Sequence, residues 1–130
     1  MVFVKAYIAT VLSFFVIDAV WISLFVRRYY EGQIGGLLRD TPHFGAAFLF
    51  YLMYAGAIVF LTVRPALATG RLTDALVGGA VLGAVAYGTF TVTNYSVLNG
   101  WTLGLVVSDI AWGTFLTSIV AACGYLAARW

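Results

Sequence analysis

Uncharged stretches alternate with short charged segments along the whole chain. A helix needs roughly 20 apolar residues to cross the hydrocarbon core of a bilayer. The segments 6–26 and 44–63 have this length, with Asp18 as their only charge. The uncharged run 75–108 is long enough for two crossings, and the Asn99-Gly100 pair in it is typical of a turn. The sequence therefore predicts transmembrane helices at about 6–26, 44–63, 75–98 and 102–126.

These spans predict an all-α integral membrane protein, a four-transmembrane-helix bundle with short loops and a single domain covering residues 1–130. Arg64-Pro65 is expected to end the second helix, because proline lacks a backbone donor and restricts the residue before it. Thr73 or Asp74 is expected to cap the third helix. The loop 31–43 is expected to be either a short helix on the membrane surface or irregular.

The composition supports a membrane location and argues against a water-soluble fold. Of the 130 residues, 63% are hydrophobic and only 9% are charged, whereas about a quarter of a soluble domain is charged. Membrane lipid is therefore an expected partner. The basic residues are scattered and form no stripe that would bind nucleic acid, so no nucleic-acid partner is expected. Their distribution, four on one side against three on the other, slightly favours an N-terminus inside the cell: Lys5, Arg64, Arg71 and Arg129 against Arg27, Arg28 and Arg39.

Residues that commonly hold metals or cofactors are scarce in this sequence. His43 is the only histidine and lies outside the predicted spans, and Cys123 is the only cysteine. Neither belongs to a cluster of metal ligands in the sequence, and the Gly-rich phosphate loops are absent. We therefore expect no metal and no cofactor.

Two aspartates lie within the predicted spans, each followed three residues later by a tryptophan: Asp18-x-x-Trp21 and Asp109-x-x-Trp112. A carboxylate in a membrane span costs about 2.5–3.5 kcal/mol, so it is a candidate functional group that faces other helices. Residues at i and i+3 share a helix face. We expect each indole to pack beside a carboxyl group and to donate its N–H across the bundle.

Further polar residues are predicted at the depth of these aspartates. At 1.5 Å per residue, Asp18, Asp109, Asn94 and Tyr51 lie about 6–12 Å from the same membrane face, so a common cluster is expected. At least one of the two carboxyl groups should then hold a proton near neutral pH. The predicted ligand-binding residues are Asp18, Trp21, Tyr51, Tyr87, Thr91, Asn94, Asp109 and Trp112. The Gly79-x-x-x-Gly83 pair is instead predicted to pack against another helix.

The chain resembles a bacterial family of small membrane proteins labelled domain of unknown function 2177. The residues that carry this resemblance are Asp18-x-x-Trp21, the tyrosine-rich second helix, Thr93-Asn94, the segment 108–113 and Gly124-Tyr125. The resemblance implies a four-helix architecture and a multi-pass protein of the bacterial inner membrane. It implies no activity or substrate.

Three functions remain open at this stage. The first is binding or transport of a small or lipid-like ligand, with proton coupling through the aspartates. The second is an accessory or structural subunit of a larger membrane complex, or of a homo-oligomer, in which the polar residues only join helices. The third is a lipid-modifying enzyme that uses the carboxyl pair as acid and base. The two aspartates are the only sequence feature that supports it.

Overall fold

A computed structural model describes residues 2–26, 32 and 44–130 of the chain. All the secondary structure in this part is helical, which confirms the predicted fold class. Within the ranges 2–26 and 44–130, four helices follow one another: α1 (Val2–Trp21, continued as a π-helix over Ile22–Val26), α2 (α-helical over Phe44–Ile58, π-helical over Val59–Val63 and α-helical again over Arg64–Thr69), α3 (Leu72–Val97) and α4 (Leu103–Arg129). The predicted surface helix in the loop 31–43 falls outside the described residues, apart from Gly32.

Each of the four helices is long and apolar enough to span a membrane. Large apolar side chains cover their outer faces, including Leu12 on α1, Leu49 on α2, Val81 on α3 and Phe115 on α4. Such a surface is costly in water but matches the acyl chains of a bilayer. The protein is therefore an integral, multi-pass membrane protein.

Helix α4 is the centre of the bundle and packs mainly against α3 and α1. Near its end, Gly124 faces Thr10 and Ala6 of α1, while Trp112 in its first half contacts Asp18. Early residues of α1 thus meet late residues of α4, so these two helices are antiparallel. The main core lies between the helices and includes Phe14, Ile58, Leu116 and Tyr125.

Helix α2 does not stop at Arg64-Pro65, which corrects the end predicted from the sequence. The backbone widens into a π-helix over Val59–Val63, and the N–H of Arg64 donates to the carbonyl of Val59. This bond joins residues five apart, whereas an α-helix joins residues four apart. The α-helical pattern therefore ends just before Pro65 and begins again with Pro65 in its first turn. Proline is tolerated there because N–H groups of a first turn have no partner within that turn.

The turn between α2 and α3 uses Gly70, whose φ of 74° is left-handed. Helix α3 begins at Leu72, so neither Thr73 nor Asp74 is its N-cap, contrary to the prediction. Asp74 instead accepts from the Thr69 hydroxyl at 2.6 Å and forms a salt bridge with Arg71 at 3.3 Å. The carboxylate therefore ties the turn to the first turn of α3, where negative charge is favourable.

The turn between α3 and α4 lies at Asn99-Gly100, as predicted, with a φ of 87° at Gly100. The Trp101 indole that follows is buried and donates to the Thr91 hydroxyl at 3.1 Å. Thr102 is the N-cap of α4 and accepts from the N–H of Leu105 at 3.2 Å. This turn is therefore held firmly to the end of α3.

Cysteine labelling in spheroplasts and inverted vesicles tests the topology that this arrangement implies. With Cys123 replaced by alanine, we expect Gln33→Cys and Asn99→Cys to be labelled from the same side of the membrane. Arg71→Cys should be labelled from the opposite side, because it lies at the other end of α3. Labelling of positions 33 and 99 from opposite sides would exclude four crossings.

Candidate ligand-binding site

Close packing of α3 on α4 fixes the frame of the site. A Cβ added at Gly79 would lie 2.7 Å from the carbonyl oxygen of Thr117, and one added at Gly83 would overlap the carbonyl oxygen of Gly113. The two backbones approach this closely only because these residues lack side chains. The predicted packing role of Gly79 and Gly83 is thereby confirmed.

The two Asp-x-x-Trp segments meet across the interface of α1 and α4. The indole rings of Trp21 and Trp112 are stacked, with centroids 4.1 Å apart and an interplanar angle of 8°. The indole N–H of Trp112 donates to Oδ1 of Asp18 in a long bond of 3.4 Å. The predicted donation of an indole to a carboxyl group across the bundle is confirmed for this pair.

Asp18 also accepts a hydrogen bond from the Tyr51 hydroxyl, so its carboxyl group joins α1 to both α4 and α2. Its side chain is only 7% exposed. Phe14, one turn earlier on α1, packs against the Tyr51 ring with centroids 4.9 Å apart. The carboxyl group is therefore held between three helices and directed toward Tyr51.

Tyr87 on α3 links the surroundings of the two aspartates. Its ring lies directly over Gly113, where any Cβ would overlap it. From this position Tyr87 lies close enough to Asp18 and Asp109 for their charges to act on its hydroxyl group. Asp109 is buried on α4, with 9% of its surface exposed. The structure thus brings Asp18, Asp109, Tyr51 and Tyr87 into one region.

Tyr54 belongs to the same region but was not among the predicted site residues. Its hydroxyl shares a hydrogen bond of 2.8 Å with the Thr117 hydroxyl of α4. Its ring meets the Tyr87 ring edge-on, with centroids 6.3 Å apart. The signal in the sequence was the i, i+3 spacing from Tyr51, which places both rings on one face of α2.

A cleft of about 450 Å³ lies between the first half of α2 and the middle of α3. Known small-molecule sites occupy about 300–1,000 Å³. Aromatic rings and alanines line the cleft: Ala46, Ala47, Phe50, Tyr51, Tyr54, Ala86, Tyr87 and Phe90. Because Tyr51 also bonds with Asp18, the buried carboxyl group lies immediately behind the cleft wall.

The remaining predicted residues of α3 lie further toward its end. Thr91 is fully buried, and its hydroxyl accepts from Trp101. Asn94 is half-buried near the end of α3. A common cluster of Asp18, Asn94 and Asp109 stays a prediction.

Metal-ligating side chains do not gather in the part of the chain that the structure describes: no three His, Cys, Asp or Glu side chains come together there as metal ligands would. Cys123 is half-buried on α4, away from the cleft. What the region offers is aromatic surface, tyrosine hydroxyls and a buried carboxyl group.

The fold and the site define a small four-helix integral membrane protein with buried acids between its helices. The chain belongs to the family DUF2177, described as a predicted membrane protein, which matches residues 3–126. The resemblance noted in the sequence is thus confirmed over nearly the whole chain. Comparisons with curated proteins and with solved structures give no match.

Proposed function

We propose that this protein binds a small amphipathic or lipid-like molecule in the cleft between α2 and α3, within the bacterial inner membrane. The observation that carries the proposal is the position of the cleft. It lies beside a region where a carboxyl group and tyrosine hydroxyls are gathered inside the apolar layer. Ligand sites are typically such concave, mostly apolar spaces with a few convergent polar groups.

The two kinds of lining surface match the two parts of an amphipathic ligand. Phe50, Phe90 and the alanines offer apolar contact for a hydrocarbon part. Tyr51, Tyr54 and Tyr87 also line the cleft, and a tyrosine oxygen that already donates can still accept a hydrogen bond from a polar part. Asp18 behind Tyr51 would couple binding to proton uptake or release, because a buried carboxyl group is stable only when it is neutral, hydrogen-bonded or paired. Such coupling would serve transport.

A structural role for Asp18 is the second candidate, and its own contacts favour it. The carboxyl group accepts from Trp112 on α4 and from Tyr51 on α2, so it joins three helices without any ligand. Such hydrogen bonds between transmembrane helices contribute about 0.6 kcal/mol on average. In this role the protein would be an accessory subunit, and the cleft would be filled by bulk lipid.

Filling the cleft tests the binding function. Ala47→Trp places an indole in the opening without entering the core, since Ala47 is only half-buried and lines the cleft. The matched control is Leu49→Trp on the same helix, which is 69% exposed and lies outside the cleft. We expect native mass spectrometry from detergent micelles to detect a monolaurin adduct on the wild type and on Leu49→Trp. The adduct should be at least fivefold weaker on Ala47→Trp.

Monolaurin suits this test because it is a neutral, single-chain amphiphile that does not depend on charge recognition. Thermal melting of all three proteins should agree within a few degrees, which separates filling of the cleft from loss of the fold. Equal adduct intensity on the wild type and Ala47→Trp would contradict binding in the cleft and favour the accessory-subunit role.

A further inference from the structure

A second concave surface lies on the outside of the bundle, between the start of α1 and the end of α4. It encloses about 520 Å³, and six side chains line it: Lys5, Ile8, Ala9, Leu12, Ala127 and Trp130. Ala9 and Ala127 are the small residues of this lining, which accounts for its concave shape. The surface, called the α1–α4 groove below, shares no residue with the cleft between α2 and α3.

The α1–α4 groove has a charged end and an apolar end. On α1, Lys5, Ile8 and Leu12 are spaced by three and four residues, so they lie on one helix face. Lys5 lies in the first turn of α1, where a long lysine stem brings its ammonium group to the level of lipid headgroups. At 1.5 Å per residue, Leu12 lies about 10 Å deeper. Ile8 and Leu12 are 51% and 60% exposed, so they offer apolar contact to an acyl chain.

Positive charge gathers at the end of the bundle where the groove opens. The Arg129 guanidinium donates to the Gly70 carbonyl at 3.2 Å, which places the turn between α2 and α3 beside the end of α4. Basic side chains near a membrane surface attract anionic lipids. Lys5 is the basic residue within the groove itself. The described basic side chains at this end are Lys5, Arg64, Arg71 and Arg129, against one described acid, Asp74.

We infer that the α1–α4 groove binds one anionic phospholipid, with the headgroup phosphate on the Lys5 ammonium group and an acyl chain along Ile8 and Leu12. A zwitterionic phospholipid would bring its own cation next to Lys5, so the charge of the groove favours an anionic headgroup. A free phosphate ion would leave the apolar part of the groove unused. This lipid site is separate from the proposed function and does not depend on it.

Competition between two phospholipids tests the inference directly. The full chain in dodecylmaltoside micelles is offered equal amounts of phosphatidylglycerol and phosphatidylcholine with the same acyl chains, and native mass spectrometry measures the ratio of the two adducts. We expect the phosphatidylglycerol adduct to be about fivefold stronger, the effect of one lysine at an anionic membrane surface. Equal adducts, or a stronger phosphatidylcholine adduct, would overturn the inference.

Variants of the charge locate the preference at Lys5. Lys5→Gln should remove most of the preference for phosphatidylglycerol, whereas Lys5→Arg, which keeps the charge, should retain it. The matched control is Arg71→Gln, which removes the same charge at the same end of the bundle but lies outside the groove and is 71% exposed. An unchanged ratio in Lys5→Gln, or an equal loss in Arg71→Gln, would overturn the role of Lys5.

A variant of the apolar lining tests the position of the acyl chain. Ala9→Leu fills the groove and should weaken the phosphatidylglycerol adduct severalfold. Ala19→Leu is the matched control, on the same helix, exposed and outside the groove. Thermal melting should show that both variants are folded. An undiminished adduct on a folded Ala9→Leu variant would overturn the groove as the site, and if that variant does not fold, the Lys5 variants decide the question.

Two further measurements separate this site from other sources of phosphate and from the cleft. Glycerol 3-phosphate, which has no acyl chain, should not displace phosphatidylglycerol, and displacement would overturn the inference in favour of a free-phosphate site. Ala47→Trp fills the cleft and should leave the ratio of the two phospholipid adducts unchanged. Loss of the preference in that variant would place the lipid in the cleft and overturn the inference. The monolaurin result remains the test of the proposed function, so the two proposals fail independently.

Discussion

Gly83→Leu is expected to destabilise the bundle by about 3 kcal/mol, at the upper end of typical overpacking costs. Gly83 has no free space on the α4 side, where the first side-chain atom would already overlap the Gly113 carbonyl and lie 2.9 Å from Cβ of Thr117. The two backbones would have to separate, and the contacts around Tyr87 would be lost with them. SDS titration in dodecylmaltoside micelles, followed by circular dichroism, measures the change.

Gly88→Ala is the matched control, on the same helix. Its added Cβ would lie 3.8 Å from Ile110, an ordinary van der Waals contact. Alanine also favours a helix over glycine by roughly 0.5–1 kcal/mol, so this variant should be as stable as the wild type or slightly more stable. Equal stability of Gly83→Leu and the wild type would mean that α3 and α4 are not packed through Gly83.

Trp112→Ala should lower the free energy of unfolding by about 3 kcal/mol. This is the lower end of the values found when a large aromatic side chain in a core is replaced with alanine. The variant loses the stack on Trp21 and the hydrogen bond to Asp18. A stacked aromatic pair contributes about 1 kcal/mol beyond its packing, so a double-mutant cycle with Trp21→Ala should show coupling of that size.

Leu126→Ala on the same helix is the reference for this second prediction. Leu126 is 55% exposed and faces the lipid side, where acyl chains replace the contacts that are lost. Its cost should stay within about 0.5 kcal/mol. Additive effects of Trp21→Ala and Trp112→Ala would show that the two indoles do not interact in the membrane.

The membrane-spanning helices could be predicted because the length of each uncharged segment can be read from the sequence and compared with the length of helix that crosses a bilayer. The end of α2 could not. Arg64-Pro65 indicates a stop when only α-helical bonding is considered, and the π-helix that absorbs the proline depends on how Val59–Val63 packs between neighbouring helices. The N-cap of α3 was missed for a related reason, since the Asp74 carboxylate bonds to Thr69 across the turn.

The candidate site was partly predictable. The contact of Trp112 with Asp18 follows from the depth of each residue in the membrane and from the helix face on which it lies. Both properties can be worked out by counting residues along a helix. The cleft and the role of Tyr54 depend on the distance between α2 and α3, which no count along one helix provides. The bonding of Thr91 with Trp101 was missed because it depends on how the turn folds back over the end of α3.

The π-helical segment Val59–Val63 and the first half of α2 pack mainly against different helices. The segment itself packs mainly against α3 and α4. In the first half of α2, the Tyr51 ring contacts Phe14 of α1 and the Phe48 ring contacts Phe15 of α1. Backbone turns of this wide kind are where helices bend. A bend of α2 at this segment would therefore move residues 44–58 relative to α3 and α4. Such a movement would change the width of the cleft and would break the Tyr54–Thr117 hydrogen bond, which joins this half of α2 to α4.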